Sequence, residues 1–228
     1  MATNTSMSSV TSGGNGGSGV VFDGASDFTF SNSTVGGSFS DLGNTSHGIL
    51  LDGAISGTNT INGSNIKYND GDGIRIGSSG SKSGTLNIYG NGIGSTSSSG
   101  NGGSGINGLA STQNSMNINL GTASWSGRNT ISNSGGDGVH IEDCANLVMY
   151  NNYIGSDSSS GTSDYGNAGD GIEVDCGTIV IGSNLDSTDD NSEGNLVVAN
   201  NGYGIYLNGA SATSATIHGN FIGSNAQG

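Results

Sequence analysis

The sequence predicts an all-β solenoid, a rod of stacked repeats with about three short strands in each repeat. A block with the pattern Asn-x-Gly-x-Gly-Φ-x-Φ, where Φ is apolar, recurs along the 228 residues. Its second glycine stands at Gly19, Gly48, Gly73, Gly105, Gly138, Gly171 and Gly204, so successive blocks are 25 to 33 residues apart. No apolar stripe with helical spacing is present. In-register columns are typical of solenoids, because each repeat buries its apolar face only against its neighbours.

The residues one and three positions after this glycine predict the first strand of each repeat. The first position holds Val20, Ile49, Ile74, Ile106, Val139, Ile172 and Ile205. The second holds Phe22, Leu51, Ile76, Gly108, Ile141, Val174 and Leu207, with Leu109 as an alternative to Gly108. Alternation with a period of two indicates a strand that buries one face.

A second repeated segment predicts the other strands. Residues 28–36, 86–94, 147–155 and 215–223 share the pattern Φ-x-Φ-x-x-[Asn/Ser]-x-Φ-Gly. The pattern predicts a strand, a sharp bend and a short further strand. We therefore expect one domain over residues 15–228, with residues 1–14 as an N-terminal tail or a first partial rung. Long polar loops are expected at Ser95–Asn101, Ser156–Asn167 and Ser183–Gly194.

An asparagine stands four residues before the repeated glycine in six of the seven blocks, and Ser134 replaces it in the other. The six are Asn15, Asn44, Asn69, Asn101, Asn167 and Asn200. Residues of one column lie about 4.8 Å apart in stacked parallel strands. We therefore predict a structural ladder of side-chain amides at one bend of the solenoid.

The segments NTISNSGGDGVHI (129–141) and NLVVANNGYGIYL (195–207) resemble repeats of right-handed parallel β-helix proteins of the pectate-lyase-like superfamily. The resemblance covers roughly residues 15 to 225 and implies a right-handed parallel β-helix of about seven turns. Because that superfamily includes lyases, hydrolases, adhesins and fibres, the resemblance leaves the function to be argued from a site.

Composition restricts the partners. Asp and Glu number 18 against 4 Lys and Arg, giving a net charge of −14, whereas nucleic acid and anionic membranes require a basic surface. No run of about 18 apolar residues is present, so we expect no membrane insertion. Residues 1–19 lack the basic and apolar regions of a secretory signal peptide. The acidic Gly/Ser/Asn-rich composition nevertheless favours an extracellular or cell-surface location.

Carboxylates recur on both sides of the predicted first strand. Asp23, Asp52, Glu142 and Asp175 follow it, and Asp72, Asp137 and Asp170 precede the repeated glycine. The first column could be a glycosidase pair or a calcium ledge, or a solvated edge that prevents aggregation. For the second column we expect hydrogen bonds from bend amides.

No cofactor is required by this pattern, but calcium is possible. Four carboxylates, Asp186, Asp189, Asp190 and Glu193, fall within eight residues and are the best calcium candidates.

Catalytic residues are not apparent. The resemblance to pectate lyases would imply a basic residue for proton abstraction, and Arg75, which alternates outward, is the candidate. A polygalacturonase-like set of catalytic residues would include Asp189-Asp190 and His218. The residues that flank them do not match the polygalacturonase motifs. Outward tyrosines such as Tyr206 could instead stack against sugars.

Cys144 and Cys176 follow their repeated glycines by six and five residues, which places them on adjacent rungs. This placement suits a disulfide, and two buried free thiols are the alternative.

We therefore expect a non-enzymatic extracellular structural solenoid that self-assembles end to end into a filament or forms the stalk of a surface adhesin. Its partner would be a second copy of the chain. The alternative is a carbohydrate-active enzyme, either a polysaccharide lyase or a glycoside hydrolase, or a carbohydrate-binding module of the same superfamily, with glycans as partners.

Overall fold

The computed structural model describes residues 2–37, 42–94, 100–110, 115–157, 165–209 and 211–223. The chain forms a right-handed parallel β-helix, in which three long parallel sheets contain seven or eight strands each. A rung, meaning one complete turn of the helix, contributes one strand to each sheet. The predicted all-β class and three strands per turn are confirmed, with seven to eight turns. The predicted loop residues 95–99 and 158–164 lie outside the described residues.

Strands are numbered in chain order. The first sheet holds the strands of the repeated glycine block: β4 (Val20–Asp23), β8 (Ile49–Asp52), β11 (Ile74–Ile76), β14 (Ile106–Gly108), β17 (Val139–Glu142), β20 (Ile172–Asp175) and β23 (Ile205–Leu207). The second sheet holds β2 (Ser6–Ser8), β6 (Thr29–Ser31), β9 (Thr58–Asn62), β12 (Thr85–Tyr89), β15 (Asn117–Leu120), β18 (Asn146–Met149), β21 (Thr178–Gly182) and β24 (Ser214–His218).

The third sheet consists of two-residue strands: β3 (Thr11–Ser12), β7 (Thr34–Val35), β10 (Asn65–Ile66), β13 (Gly92–Ile93), β16 (Thr130–Ile131), β19 (Tyr153–Ile154), β22 (Leu196–Val197) and β25 (Phe221–Ile222). A further pair joins β1 (Ala2–Thr3) to β5 (Ala25–Ser26). The described part contains two short helical segments, a 3-10 turn at Trp125–Gly127 and α1 (Asp190–Glu193). No described helix has the length and apolar character needed to cross a bilayer.

The core is a stack of apolar columns inside the helix. In the first sheet Ile74 pairs with Ile49 below and Ile106 above, and all three are fully buried. Gly108 keeps the same register between Ile76 and Ile141, so Leu109 does not replace it. The first-sheet strands from β4 to β20 therefore bury every second residue, as the sequence alternation predicts.

The repeated glycine is required by close approach between rungs. A Cβ built on Gly138 would lie 2.6 Å from the Gly171 carbonyl oxygen and 2.6 Å from Ile154 Cγ2. Real Cβ atoms do not come this close to backbone oxygen. The glycine column therefore allows the bend before the first sheet to stack at the strand spacing.

Part of residues 1–14 forms a rung rather than a free tail. Strands β2 and β3 pair in parallel with β6 and β7 of the next rung. Just above them Phe22, Phe28 and Phe30 are buried, with the Phe22 and Phe28 ring centroids 3.9 Å apart. These rings fill the interior of the helix at its N-terminal end.

Candidate functional site

The predicted asparagine column forms a hydrogen-bonded ladder inside the helix. Asn44 Nδ2 donates to Asn69 Oδ1 at 2.7 Å, and Asn69 Nδ2 donates to Asn101 Oδ1 at 2.8 Å. Asn15 donates to Asn44, and Asn167 to Asn200, both at 2.7 Å. Because these amides satisfy one another between rungs, the column is structural.

Ser134 interrupts this ladder. Its backbone N–H donates to Asn167 Oδ1 at 3.0 Å, but its buried Oγ has no hydrogen-bond partner. Asn101 Nδ2 donates instead to the Ile66 carbonyl oxygen at 3.0 Å. The shorter serine side chain therefore leaves one buried polar atom unsatisfied.

A second ladder runs along the bend between the second and third sheets and was not predicted. Successive amides donate to one another at 2.8 to 3.1 Å along Asn91, Asn129, Asn152, Asn195 and Asn220. Ser33 and Ser64 begin the same column. The signal was present in the sequence as the [Asn/Ser] position of the second repeated pattern.

Cys144 and Cys176 form a disulfide across adjacent rungs, with a Cα–Cα distance of 4.6 Å. Both residues are buried at the corner that follows β17 and β20. The bond therefore fixes two neighbouring rungs to each other.

The outer face of the first sheet carries a group of neighbouring charged and titratable side chains. We define the outer column as the second residue of each first-sheet strand: Val21, Leu50, Arg75, Asn107, His140, Glu173 and Tyr206. Beside it runs the carboxylate column Asp72, Asp137 and Asp170. Each of these carboxylates accepts a backbone N–H one rung further on: from Ser104 at 2.8 Å, Asp170 at 2.6 Å and Tyr203 at 2.6 Å. The hydrogen bonds that were expected from bend amides are therefore donated by backbone N–H groups of the next rung.

Asp72 has the most complete set of partners. Arg75 Nη1 lies 2.7 Å and His47 Nδ1 3.3 Å from Asp72 Oδ2, while Asn107 and the Ser104 N–H reach Oδ1. Burial acts to raise the pKa of Asp72, but these partners outweigh it and lower the pKa from 3.8 to about 2. Arg75, the candidate base, is therefore engaged in an ion pair.

Two rungs further on, Asp137, His140 and Glu173 converge. Ligand atoms of the three side chains lie within 4.8 Å of one another, and all three residues are partly buried. His140 and Glu173 are direct neighbours across β17 and β20. His140 Nε2 also lies 3.4 Å from Glu142 Oε1. This is the one group of three such ligands in the described ranges.

Three carboxylates at the ends of first-sheet strands accept hydrogen bonds from the neighbouring rung. Asp175 Oδ1 accepts the Ser211 N–H at 3.1 Å, Glu142 Oε2 accepts the Ala110 N–H at 3.2 Å, and Asp52 accepts the Ser79 hydroxyl. Register places Asp23 beside Asp52 and Glu142 beside Asp175.

Of the calcium candidates, Asp186 and Asp189 lie in an exposed loop, whereas Asp190 and the buried Glu193 lie in α1. Three of the four carboxylates accept hydrogen bonds from nearby groups of the same segment. Asp186 accepts one from the Thr188 N–H, and Glu193 accepts one from the Asn184 N–H. Asp190 accepts two, from the Ser183 hydroxyl and from the Ser187 N–H. Asp189 precedes α1 with a left-handed backbone and makes no capping hydrogen bond. These four carboxylates do not converge as the Asp137 group does, and calcium binding by the loop stays a prediction.

An aromatic groove lies on the third sheet and was not predicted. The Arg128 guanidinium carbon lies 4.0 Å from the Trp125 ring centroid and 3.9 Å from that of Tyr153. Arg128 Nε donates to Asn151 Oδ1 at 3.0 Å, while the Trp125 side chain is 75% exposed. Phe221 and Asn191 contribute to the groove, which encloses about 290 Å³.

The two ends of the helix share one property, a low content of charged side chains: Asp23, at the end of β4, is the one Asp, Glu, Lys or Arg residue on the end strands of the three long sheets. All 18 Asp and Glu residues and all 4 Lys and Arg residues lie between Asp23 and Glu193. On the last rung Ile217 and Ile222 continue fully buried or nearly buried columns, yet they are 40% and 46% exposed.

No protein-family model, curated protein or solved structure matches this sequence.

Proposed function

We propose that this chain is a non-enzymatic structural β-solenoid that associates end to end, as a filament subunit or as part of an adhesin stalk outside the cell or on its surface. The observation that carries this proposal is the contrast between end rungs that carry a single Asp or Glu residue, Asp23, and a strongly acidic middle. Ile217 stacks on the fully buried Ile181, and Ile222 stacks on the buried Val197. A further rung would bury both isoleucines in the same way.

Charge distribution favours the ends over the sides. Solenoids and sheets that stay monomeric place charged residues on their open edges, because a charge there opposes pairing with another chain. Here the charges lie between Asp23 and Glu193 and sum to −14. Two rods side by side would repel each other, whereas the two end edges bring together a single acidic side chain, the exposed Asp23.

The partner is a second copy of the chain. All strands are parallel and wind in one direction, so the C-terminal edge of β23, β24 and β25 is complementary to the N-terminal edge of another rod. Such a head-to-tail contact is heterologous and does not close, and it therefore generates a filament. The Cys144–Cys176 disulfide supports an oxidising, extracellular location.

Negative-stain electron microscopy and sedimentation of the purified chain test this proposal. We expect wild-type rods to join into filaments and Ile217→Lys to leave short rods, because it places a charge in the stacking surface. Thr216→Lys is the matched control, because Thr216 aligns with the outward Val180 and Ile217 with the inward Ile181. Monodisperse short rods from the wild-type chain at every concentration would refute end-to-end association.

A second candidate is a carbohydrate-binding module of the pectate-lyase-like superfamily. The aromatic groove supports it, because the exposed Trp125 ring could stack on a sugar beside the polar groups of Arg128 and Asn151. The enzyme form of this alternative would require Arg75 to leave its ion pair with Asp72.

Glycan-array binding tests this second candidate. We expect binding to be lost in Trp125→Ala and kept in the control Tyr203→Ala, which removes an exposed ring elsewhere. Repeating the wild-type measurement with a chelator separates calcium-dependent from calcium-independent binding. Equal binding by both variants would exclude the groove.

A further inference from the structure

In three rungs of the first sheet, an aspartate of the carboxylate column is followed three residues later by a different residue of the outer column. The negative charge of the aspartate is balanced by an arginine in one rung and not in the others. Asp72 is followed three residues later by Arg75, Asp137 by His140, and Asp170 by Glu173. In the first pair the guanidinium neutralises the carboxylate directly. In the last pair an acid stands where the arginine would be.

Among the described residues, the acidic cluster around His140 has no lysine or arginine as a counterion. Asp137, Glu142 and Glu173 surround the imidazole, and Asp170 adjoins them. Within the described ranges, none of the 4 Lys and Arg residues forms an ion pair with any of these carboxylates. Carboxylates this close destabilise one another unless a cation or hydrogen bonds compensate.

We propose that Asp137, His140 and Glu173 bind a divalent transition-metal ion on the outer face of the first sheet. The cation supplies the charge that Arg75 supplies at Asp72. The site combines an imidazole nitrogen with two carboxylates, a donor set that suits zinc and similar first-row ions better than calcium, which prefers oxygen alone.

Both carboxylates are already oriented by a hydrogen bond on one oxygen. Asp137 Oδ1 accepts the Asp170 N–H at 2.6 Å, and its Oδ2 lies 3.6 Å from His140 Nδ1. Glu173 Oε1 accepts Asn208 Nδ2 at 2.7 Å, which leaves Oε2 for the ion. Such bonds fix metal ligands in place and strengthen binding.

Little movement is needed to complete the coordination. The three ligand atoms lie within 4.8 Å of one another. When each ligand atom lies about 2.0–2.2 Å from a zinc ion, the ligand atoms lie about 3 to 4 Å from one another. Displacements of the ligand atoms by about 1 Å would therefore complete the site. Three protein ligands leave a coordination position for water.

Isothermal titration calorimetry of the intact chain with ZnCl2 tests the proposal, with thermal unfolding as a second readout. We expect saturable binding of one ion at this site and a higher Tm in zinc, because binding to the folded state stabilises it. His140→Ala and Glu173→Gln should each weaken this binding by about 10-fold or more. Glu173→Gln removes the charge and keeps the size of the side chain.

His47→Ala is the matched control, because His47 also faces an aspartate, Asp72, but Arg75 already neutralises that site. It should leave zinc affinity unchanged. Absence of saturable zinc binding, or equal affinities in wild type, His140→Ala and Glu173→Gln, would overturn the proposal. Calcium binding that is tight and insensitive to His140→Ala would also overturn it, because the ligands would then be oxygens only. The number of zinc ions bound per chain in the calorimetric titration does not depend on end-to-end association, which Ile217→Lys tests separately.

Discussion

Arg75 and Asp72 form an ion pair of 2.7 Å on the outer face of the first sheet, and the Asp72 side chain is buried. His47 contacts the same carboxylate oxygen from the preceding rung, while Ser104 and Asn107 donate from the following one. A single carboxylate thus connects three consecutive rungs.

This arrangement predicts acid sensitivity. The pKa of Asp72 is lowered from 3.8 to about 2 in the folded chain, so its ionised form contributes stability that is fully present above pH 3.8 and lost as pH falls through about 2. The contribution corresponds to about 2 kcal/mol. Chemical denaturation of wild type and Asp72→Asn between pH 5 and about 2 measures it. The wild-type advantage should shrink towards the acid end, and parallel profiles for the two proteins would contradict the expectation.

Completing the first ladder should stabilise the protein. Ser134→Asn places an amide where Asn101 and Asn167 can both bond to it, and it removes the unsatisfied Oγ. We expect the free energy of unfolding to rise by about 1 kcal/mol, the typical net value of a buried hydrogen bond. Urea denaturation provides the measurement.

Ser134→Ala separates this effect from the removal of the hydroxyl alone. Because the Ser134 Oγ has no partner, its loss should change stability little or raise it slightly. If alanine stabilises the chain as much as asparagine does, the ladder bonds are not the cause.

The repeated glycines should tolerate no side chain. Gly138→Ala places a methyl group 2.6 Å from the Gly171 carbonyl oxygen, so adjacent rungs must separate. We expect a loss of about 3 kcal/mol, the upper range for overpacking. Gly16→Ala is the control, because no atom lies within 4 Å of the added carbon there. Similar unfolding midpoints for the two variants would contradict the close-packing explanation.

Periodic features were predictable from the sequence because stacking forces equivalent residues into register. The column of Ile49, Ile74 and Ile106 and the first asparagine ladder follow directly from that rule. The second ladder was harder to detect, because Asn91, Asn129 and Asn152 are separated by 38 and then 23 residues. Loops of unequal length between rungs conceal the column although the amides lie in hydrogen-bonding contact.

Features that depend on loops could not be predicted. The 3-10 turn that brings Trp125 over Arg128 and Tyr153 follows no repeat. Lys82 is fully buried and donates from Nζ to the Gly53 carbonyl oxygen at 2.7 Å, although lysine is normally exposed.

The convergence of Asp137, His140 and Glu173, in contrast, could have been predicted. It depends on the register between β17 and β20, which follows from the spacing of 33 residues between their repeated glycines.

The disulfide should contribute substantially to stability. Cys144 and Cys176 are 32 residues apart, and closing a loop of this length lowers the entropy of the unfolded chain by an amount worth about 3 to 4 kcal/mol. Guanidinium denaturation of wild type and the Cys144→Ala/Cys176→Ala variant should show this difference. Adding a reductant should lower the wild-type stability towards that of the variant and leave the variant unchanged. Two free thiols per chain in the denatured, unreduced wild-type protein would instead indicate that the cysteines pack as buried thiols, and the difference would then reflect only the lost sulfur packing.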